Sequence, residues 1–102
     1  MTQTHIASKE QVLQVLREAL PDLRRRYGVV HLALFGSVVR GEQTTTSDID
    51  LLVDLDESAT LFDLVGLGDF LEEQLGHKVD VVPRRALRPE IRDQVLRDSV
   101  AV

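Results

Sequence analysis

The stretch Leu34–Leu55, LFGSVVRGEQTTTSDIDLLVDL, decides the fold of this chain. It begins with the end of an apolar run, followed by turn residues at Gly36 and Ser37 and by a polar loop. A second apolar run then begins, with Asp48 and Asp50 at its start. Two apolar runs separated by turn residues predict two strands of one sheet. The two like charges at the head of the second strand need a physical reason.

The residues before this stretch predict a helix followed by a strand. Ser8 and Gln11 have the spacing of a capping box, which opens a helix whose apolar residues recur at helical intervals. Pro21 should kink or split that helix, and Gly28 is a suitable C-terminal stop. The following run, Val29–Phe35, is continuously apolar except for one histidine, which predicts a strand buried on both faces.

The residues after the loop predict a strand, a helix, a second strand and a last helix. Asp48–Leu55 alternates as a strand does, and residues 59–76 form a helical pattern in spite of two glycines. Lys78–Val82 is a short strand, and Pro89 suits the first position of the last helix. The predicted fold is therefore α/β, in the order α-β-(Gly-Ser turn)-β-α-β-α, with a small sheet packed against helices.

Composition places limits on the function. The 102 residues predict a single domain over 1–102, and the net charge of −5 argues against direct nucleic-acid binding, which normally shows as a basic excess. The chain has no cysteine, so it has neither disulfides nor thiolate metal sites. We find no signal peptide and no apolar segment long enough to span a membrane, so a cytoplasmic location is expected.

Three aspartates are candidates for a metal site. Asp48 and Asp50 point to the same face of their strand, with Cα atoms about 6.6 Å apart, so their charges repel unless they are neutralised or screened. A divalent cation is the natural neutraliser because hard cations prefer carboxylate oxygens. Asp80 lies in another short apolar strand and can join them if the two strands are neighbours. Asp54 lies about 13 Å beyond Asp50 and is excluded from the site.

The turn after the first strand is a candidate phosphate site. Gly36 allows a close backbone approach to a phosphate, and the hydroxyl of Ser37 can hydrogen-bond its oxygens. The spacing from Gly36 to Gly41 matches a P-loop, but the Lys and Ser/Thr that a P-loop requires are absent after Gly41. Arg40 could contact a phosphate or pair with a carboxylate. Alone, each feature is typical of a turn or a solvated strand end, so their joint order carries the interpretation.

That joint order resembles the minimal nucleotidyltransferase family of the DNA polymerase beta superfamily. The resemblance rests on GSVVRG, SDIDLLV and VDVV, within residues 32–82. It implies a mixed sheet and metal-dependent transfer of AMP from ATP to a hydroxyl, with two Mg²⁺ ions for which Mn²⁺ could substitute. The departure from the family pattern is Val39, where alanine is common. The resemblance implies nucleotide binding by Gly36, Ser37, Arg40 and Ser47, and catalysis and metal binding by Asp48, Asp50 and Asp80.

The resemblance also implies a partner. Larger members of the family carry an additional domain that binds the acceptor. Here only about twenty residues follow Asp80, too few for such a domain, so we expect the acceptor to bring its own binding surface. Stand-alone members resemble the antitoxin of HEPN/MNT toxin–antitoxin pairs, in which a tyrosine of a HEPN ribonuclease is adenylylated. This implies a hetero-oligomer with a HEPN toxin in a type VII-like system.

Other interpretations remain open. The chain could neutralise its partner mainly by binding, or it could modify small molecules; a purely structural role is disfavoured because three converging carboxylates would be costly without a cation. The segment Leu61–Leu71 has more apolar residues than one helical stripe, so it either faces a partner or is buried on two sides. The clusters Arg24–Arg26 and Arg84–Arg85, with Arg88, are either solvated or contact the partner or the triphosphate.

Overall fold

The structure, a computed structural model, describes residues 8–42 and 48–102. Its sheet has the strand order β3 (Val79–Pro83), β2 (Ile49–Leu55), β1 (Val29–Phe35), β4 (Val100–Ala101). Strands β2 and β3 are parallel, and β1 is antiparallel to both β2 and β4. No helix among the described residues is long and apolar enough to cross a membrane. The predicted α/β fold with a small mixed sheet is confirmed. The elements are α1 (Lys9–Tyr27), β1 (Val29–Phe35), α2 (Ser37–Arg40), β2 (Ile49–Leu55), α3 (Leu61–Leu75), β3 (Val79–Pro83), a 3₁₀ turn (Arg84–Ala86), α4 (Pro89–Asp98) and β4 (Val100–Ala101).

Local signals define both ends of α1. The hydroxyl of Ser8 accepts a hydrogen bond from the Gln11 N–H, the Gln11 side chain accepts one from the Ser8 N–H, and Gly28 ends the helix with φ of 71°. The predicted split at Pro21 is wrong, because α1 is one continuous helix that contains this proline. Pro21 and Arg17 are both exposed, so water can hydrate the Arg17 carbonyl that lacks a donor there.

The main core lies on one side of the sheet. The prediction that β1 is buried on both faces is wrong: Leu32 and Leu34 are buried, whereas His31 is exposed and Ala33 is partly exposed. Helices α1 and α3 cover the buried face, and a continuous apolar run does not reveal that only one face is covered. The buried residues of this core are Val12, Leu13, Leu16, Ala19, Leu23, Val29, Leu32, Leu34, Val38, Ile49, Leu51, Val53, Leu67, Leu71 and Val79.

The opposite face of the sheet, which we call the open face, is covered only in part. Leu52 of β2 is buried there, and it does not belong to the main core cluster. Leu96 of α4 lines a cavity of about 300 Å³ together with Leu52 and Asp54. At the other end of β2, Asp50 is only half-buried. The open face is therefore covered near the end of β2 and accessible near its beginning.

Helix α3 is continuous through both of its glycines. Thr60 and Asp63 form a capping box at its start, and Gly76 ends it with φ of 68°. A Cβ at Gly66 would lie 3.1 Å from Cε1 of Tyr27, so this glycine lets α1 and α3 approach closely. The glycines that weakened the helix prediction are thus compatible with a packed helix, because tertiary contacts outweigh propensity.

Candidate active site

The register of the parallel strands brings two of the predicted carboxylates together. Asp50 of β2 is paired directly with Asp80 of β3. Paired residues on adjacent parallel strands project to the same face, about 4.8 Å apart. Asp48 is exposed immediately before β2, two residues from Asp50. Strand β3 therefore lies beside β2, as is required for Asp80 to join Asp48 and Asp50.

The turn after β1 lies directly against Asp50. Phe35, the last residue of β1, is paired with Asp50, and Gly36 follows with φ of 82° and ψ of −152°. A Cβ at position 36 would lie 3.0 Å from Cγ and 3.1 Å from Cβ of Asp50, and closer still to its Oδ2. The backbone angles and the lack of space both require glycine here. Across the sheet, the order is thus Gly36, Asp50, Asp80.

Asp50 is the electrostatically unusual member of the group. Burial raises the pKa of its carboxyl group above the ordinary value of 3.8, the negative charges of Asp80 and Asp48 raise it further, and Arg40 opposes them. Burial and like charges both disfavour the ionised form of an acid. A cation held at this point would remove the repulsion, which is the electrostatic character expected of a metal-binding carboxylate.

The donor chemistry of the three aspartates suits a hard divalent cation. Among residues 8–42 and 48–102, however, no group of three or more His, Asp or Glu side chains is arranged so that it could hold a metal ion. Asp50 on β2 is paired with Asp80 on β3, and Asp48 lies immediately before the first residue of β2. Binding a cation through all three therefore requires side-chain rotation, which exposed Asp48 and Asp80 are free to undergo.

Arg40 pairs with a carboxylate. Its Nε donates a hydrogen bond of 2.8 Å to Oε1 of Glu42, and both side chains are largely exposed. Arg40 is also close enough to Asp50 to affect its pKa, so the guanidinium lies beside the candidate site. Ser37 is the first residue of the short helix α2, where the structure places it directly after Gly36. Ser47, the other predicted nucleotide-binding residue, lies outside the described residues.

Asp54 belongs to a different group, as the sequence predicts. Its carboxylate is 3.4 Å from a guanidinium nitrogen of Arg84. These two residues, with Arg85, Arg92 and Leu96, line a second cavity of about 480 Å³. We call Arg84, Arg85 and Arg92 the arginine cluster. The sequence identified the Arg84–Arg85 pair but missed Arg92, which α4 brings beside it.

Helix α3 exposes apolar side chains at its start. The exposed fractions are 73% for Leu61, 87% for Phe62 and 57% for Val65, whereas Leu67 and Leu71 are fully buried. The interpretation that this helix is buried on two sides is therefore wrong. We call Leu61, Phe62 and Val65 the α3 patch. It follows the end of β2, so it lies towards the opposite end of the sheet from Asp50.

Comparison with known sequences places this geometry in a family. The family model described as the nucleotidyltransferase domain matches residues 16–102. The chain is also 40% identical over 93 residues to the protein adenylyltransferase MntA of Thermococcus cleftensis, a match that covers 91% of this chain and 94% of that protein. The range matched by the family model includes every described residue of the candidate site.

Three solved structures have a similar fold. A candidate minimal nucleotidyltransferase is 44% identical, with a TM-score of 0.78 over 90% of this chain and 94% of the other. A toxin–antitoxin pair with AMP-PNP matches at 24% identity and a TM-score of 0.65, over 93% of this chain and 72% of the other. A complex of an MNT antitoxin with a tri-AMPylated HEPN toxin of Shewanella oneidensis matches at 22% identity and a TM-score of 0.56, over 90% of this chain and 66% of the other. The last two show likeness of fold alone.

Proposed function

The chain belongs to the nucleotidyltransferase domain family and is a nucleotidyltransferase, and we propose that it transfers AMP from ATP to a tyrosine hydroxyl of a partner HEPN toxin. In this proposal it is the antitoxin of a type VII-like pair. The name of the Thermococcus relative supports a protein acceptor. The toxin–antitoxin complexes among the similar structures support a HEPN partner and a hetero-oligomer.

The arrangement of Gly36, Asp50 and Asp80 carries the proposal. Gly36 is pressed against Asp50 from β1, and Asp80 flanks Asp50 from β3. A triphosphate approaching the Gly36–Ser37 backbone would place its α-phosphorus near Asp50. An acceptor hydroxyl would then enter from the Asp80 side. The attacking and leaving groups would thus lie on opposite sides of the phosphorus, as in-line displacement requires.

In the proposed reaction, the acceptor oxygen forms a bond to the α-phosphorus of ATP. The bond from that phosphorus to the bridging oxygen of the β-phosphate breaks, and pyrophosphate leaves. Asp80 accepts the hydroxyl proton, directly or through water, while the Gly36–Ser37 turn and Arg40 orient the phosphates. Asp48, Asp50 and Asp80 would hold two Mg²⁺ ions, for which Mn²⁺ could substitute. When bound, these ions supply charge neutralisation at the transferred phosphate.

The α3 patch favours a second candidate function, neutralisation of the partner by binding alone. A side chain as exposed as Phe62 is unusual for an aromatic residue, and aromatic residues are enriched at protein interfaces. The patch is separate from the carboxylates, so binding and catalysis can be tested independently. Within the part of the chain that the structure describes, no comparable feature favours a small-molecule acceptor.

The first test follows labelled ATP into protein. The chain is incubated with Mg²⁺ and a HEPN-family toxin, using ATP labelled at either the α- or the γ-phosphate. Transfer of the α label alone, lost with EDTA and in Asp48→Asn/Asp50→Asn, is the expected result. Mass spectrometry then locates the modified hydroxyl.

The same samples separate the two candidate functions. If the double variant still binds the partner but no longer abolishes its ribonuclease activity, catalysis is responsible for neutralisation. If the partner is silenced without incorporation of label, the binding function replaces the catalytic one. Asp69→Asn, which removes an exposed carboxylate on α3, is the matched control and should behave as wild type.

A further inference from the structure

Asp80 lies on a strand at the edge of the sheet. Among the described strands, in the order β3-β2-β1-β4, β3 pairs with β2 alone. The Ile49 N–H donates a hydrogen bond of 2.9 Å to the Lys78 carbonyl, and Ile49 is paired with Val79. In a parallel ladder, the residue opposite such a donor directs its own N–H away from the neighbouring strand. The Val79 N–H, one residue before Asp80, therefore points to the outer edge of the sheet.

Glu72 accepts a hydrogen bond from that outward-facing N–H. The Val79 nitrogen is 3.1 Å from Oε2 of Glu72, and the contact is partly buried. Glu72 belongs to the last turn of α3, and its carbonyl accepts a second hydrogen bond, of 2.8 Å, from the N–H of Gly76 at the end of the helix. One residue therefore closes α3 with its carbonyl and holds the first residue of β3 with its carboxylate.

The position of Glu72 is not explained by the stability of α3. The last turn of a helix is the negative end of its dipole, where a carboxylate is unfavourable, and the last turn of α3 contains no basic residue that would compensate for it. Glu72 makes no ion pair within residues 8–42 and 48–102. Its side chain instead accepts the Val79 N–H, and hydrogen bonds to an ionised acceptor are stronger than neutral ones. The carboxylate therefore acts mainly on the start of β3.

We propose that Glu72 is a positioning residue for Asp80, because it fixes the strand that carries Asp80 beside Asp50. This inference rests on the proposed function, in which Asp80 accepts the proton of the acceptor hydroxyl. Without the Glu72 carboxylate, the start of β3 would keep its hydrogen bonds to β2 and lose the one on its outer edge. Misplacement of a reacting group by about 1 Å can lower a rate by about a hundredfold. The loss should fall on the transfer step and not on ATP binding, because the Gly36–Ser37 turn follows β1, on the other side of β2.

Three variants test the proposal in the transfer of AMP to a HEPN-family toxin. Glu72→Ala removes the acceptor of the Val79 N–H, whereas Glu72→Gln keeps an oxygen that can accept it. Glu73→Ala is the matched control, because it removes the same charge from an exposed neighbouring position in the last turn of α3. We expect Glu72→Ala to lose about ten- to a hundredfold in kcat with the KM for ATP unchanged. Glu72→Gln should keep a rate within about threefold of wild type, and Glu73→Ala should match wild type.

A double-mutant cycle tests whether Glu72 acts through Asp80. In the Asp80→Asn background the proton acceptor is already absent, so Glu72→Ala should lower the residual rate by less than about twofold. A merely structural role of Glu72 would lower the rate equally in both backgrounds. Thermal unfolding of every variant ensures that the rates are compared between folded proteins. Equal losses in the two backgrounds, or an unchanged rate in Glu72→Ala, would overturn the inference.

Amide hydrogen exchange gives a second measurement, which does not depend on transfer. In free Glu72→Ala, the Val79 and Asp80 amides should exchange at least about tenfold faster than in wild type, as the loss of a hydrogen bond to a charged group predicts. Both amides should be as protected in Glu73→Ala as in wild type. Unchanged exchange of the Asp80 amide would overturn the inference. Absence of any transfer by wild type would instead contradict the proposed function, and exchange of the Asp80 amide would still decide whether Glu72 fixes its strand.

Discussion

Gly36 and Asp50 share a space that only one of them can fill. The Asp50 side chain occupies the position that a Cβ on residue 36 would need, at 3.1 Å from its Cβ and 3.0 Å from its Cγ. The glycine thus fixes how closely the turn approaches the carboxylate. Any phosphate bound by the turn is held at a set distance from Asp50, and accurate placement of the reacting groups is worth orders of magnitude in rate.

Replacement of Gly36 by alanine should therefore abolish transfer. Gly41→Ala is the matched control, because it also has positive φ, 72°, but a Cβ there meets no atom of the described residues within 4 Å. We expect Gly41→Ala to lose about 1–2 kcal/mol of stability from backbone strain with activity retained. Gly36→Ala should lose at least as much stability and about a hundredfold in rate. Equal rates in the two variants would refute the close-approach argument.

Asp50→Asn should stabilise the free protein while abolishing transfer. Because the folded state raises the pKa of Asp50, the unfolded state loses its proton first as pH rises. Ionisation of Asp50 therefore costs stability above the ordinary value of 3.8, and the full cost is present above the raised pKa. We expect the variant to gain about 0.5–2 kcal/mol near pH 7, as removal of functional-site strain commonly gives.

Thermal unfolding measured over a range of pH tests whether Asp50→Asn is more stable than wild type. The gain of Asp50→Asn should shrink as pH falls through the raised pKa and vanish below about 3.8. Mg²⁺ should raise the melting temperature of wild type, since a ligand of the folded state stabilises it, and should have a smaller effect on the variant. If Asp50→Asn were less stable than wild type at pH 7, the raised pKa of Asp50 would be contradicted.

Phe62→Asp should weaken the complex with the partner without harming the fold. Phe62 is 87% exposed, so its replacement should change stability by no more than about 0.5 kcal/mol. An aromatic anchor at an interface is worth about 2 kcal/mol or more, which is roughly a thirtyfold change in Kd. Calorimetry of the complex measures the change, with Ile91→Asp, 47% exposed on α4, as control. Unchanged affinity would show that the partner does not contact the α3 patch.

Gly68→Ala should stabilise the protein. A Cβ at this helical position would lie 3.8 Å from Cγ2 of Val81, an ordinary contact, so the helix gains up to about 1 kcal/mol. Gly66→Ala should gain less or lose, because its Cβ would lie 3.1 Å from the Tyr27 ring. Denaturant unfolding of the two variants ranks them, and a larger gain for Gly66→Ala would contradict the packing described for α1 and α3.

The features that sequence predicts well are those that depend on neighbouring residues. The capping box of Ser8 and Gln11, the stop at Gly28 and the first-turn proline of α4 are local, and all three are confirmed. The pairing of Asp50 with Asp80 is different, since it depends on the choice of β3 as the neighbour of β2. Only the resemblance to a family made that pairing an expectation before the fold was known.

The features that sequence did not predict depend on what covers each surface. A strand with the run of Val29–Phe35 has the same pattern whether one face or two are packed, so the exposure of His31 was not foreseeable. The same holds for the α3 patch, whose apolar residues fit either a buried helix or an exposed one. Arg92 joins Arg84 through the placement of α4, which no spacing along the chain encodes.

The partial covering of the open face has a consequence for the timing of the reaction. Near Asp50, strands β1 and β3 flank β2, Asp48 and Asp80 are exposed, and Asp50 is half-buried. A nucleotide seated there would remain in contact with water until another surface lay over it, and exclusion of water strengthens the electrostatic interactions that catalysis uses. In the proposed function that surface is the acceptor itself. Binding of the toxin would then exclude water from the active site, so the toxin itself would promote the reaction by which it is inactivated.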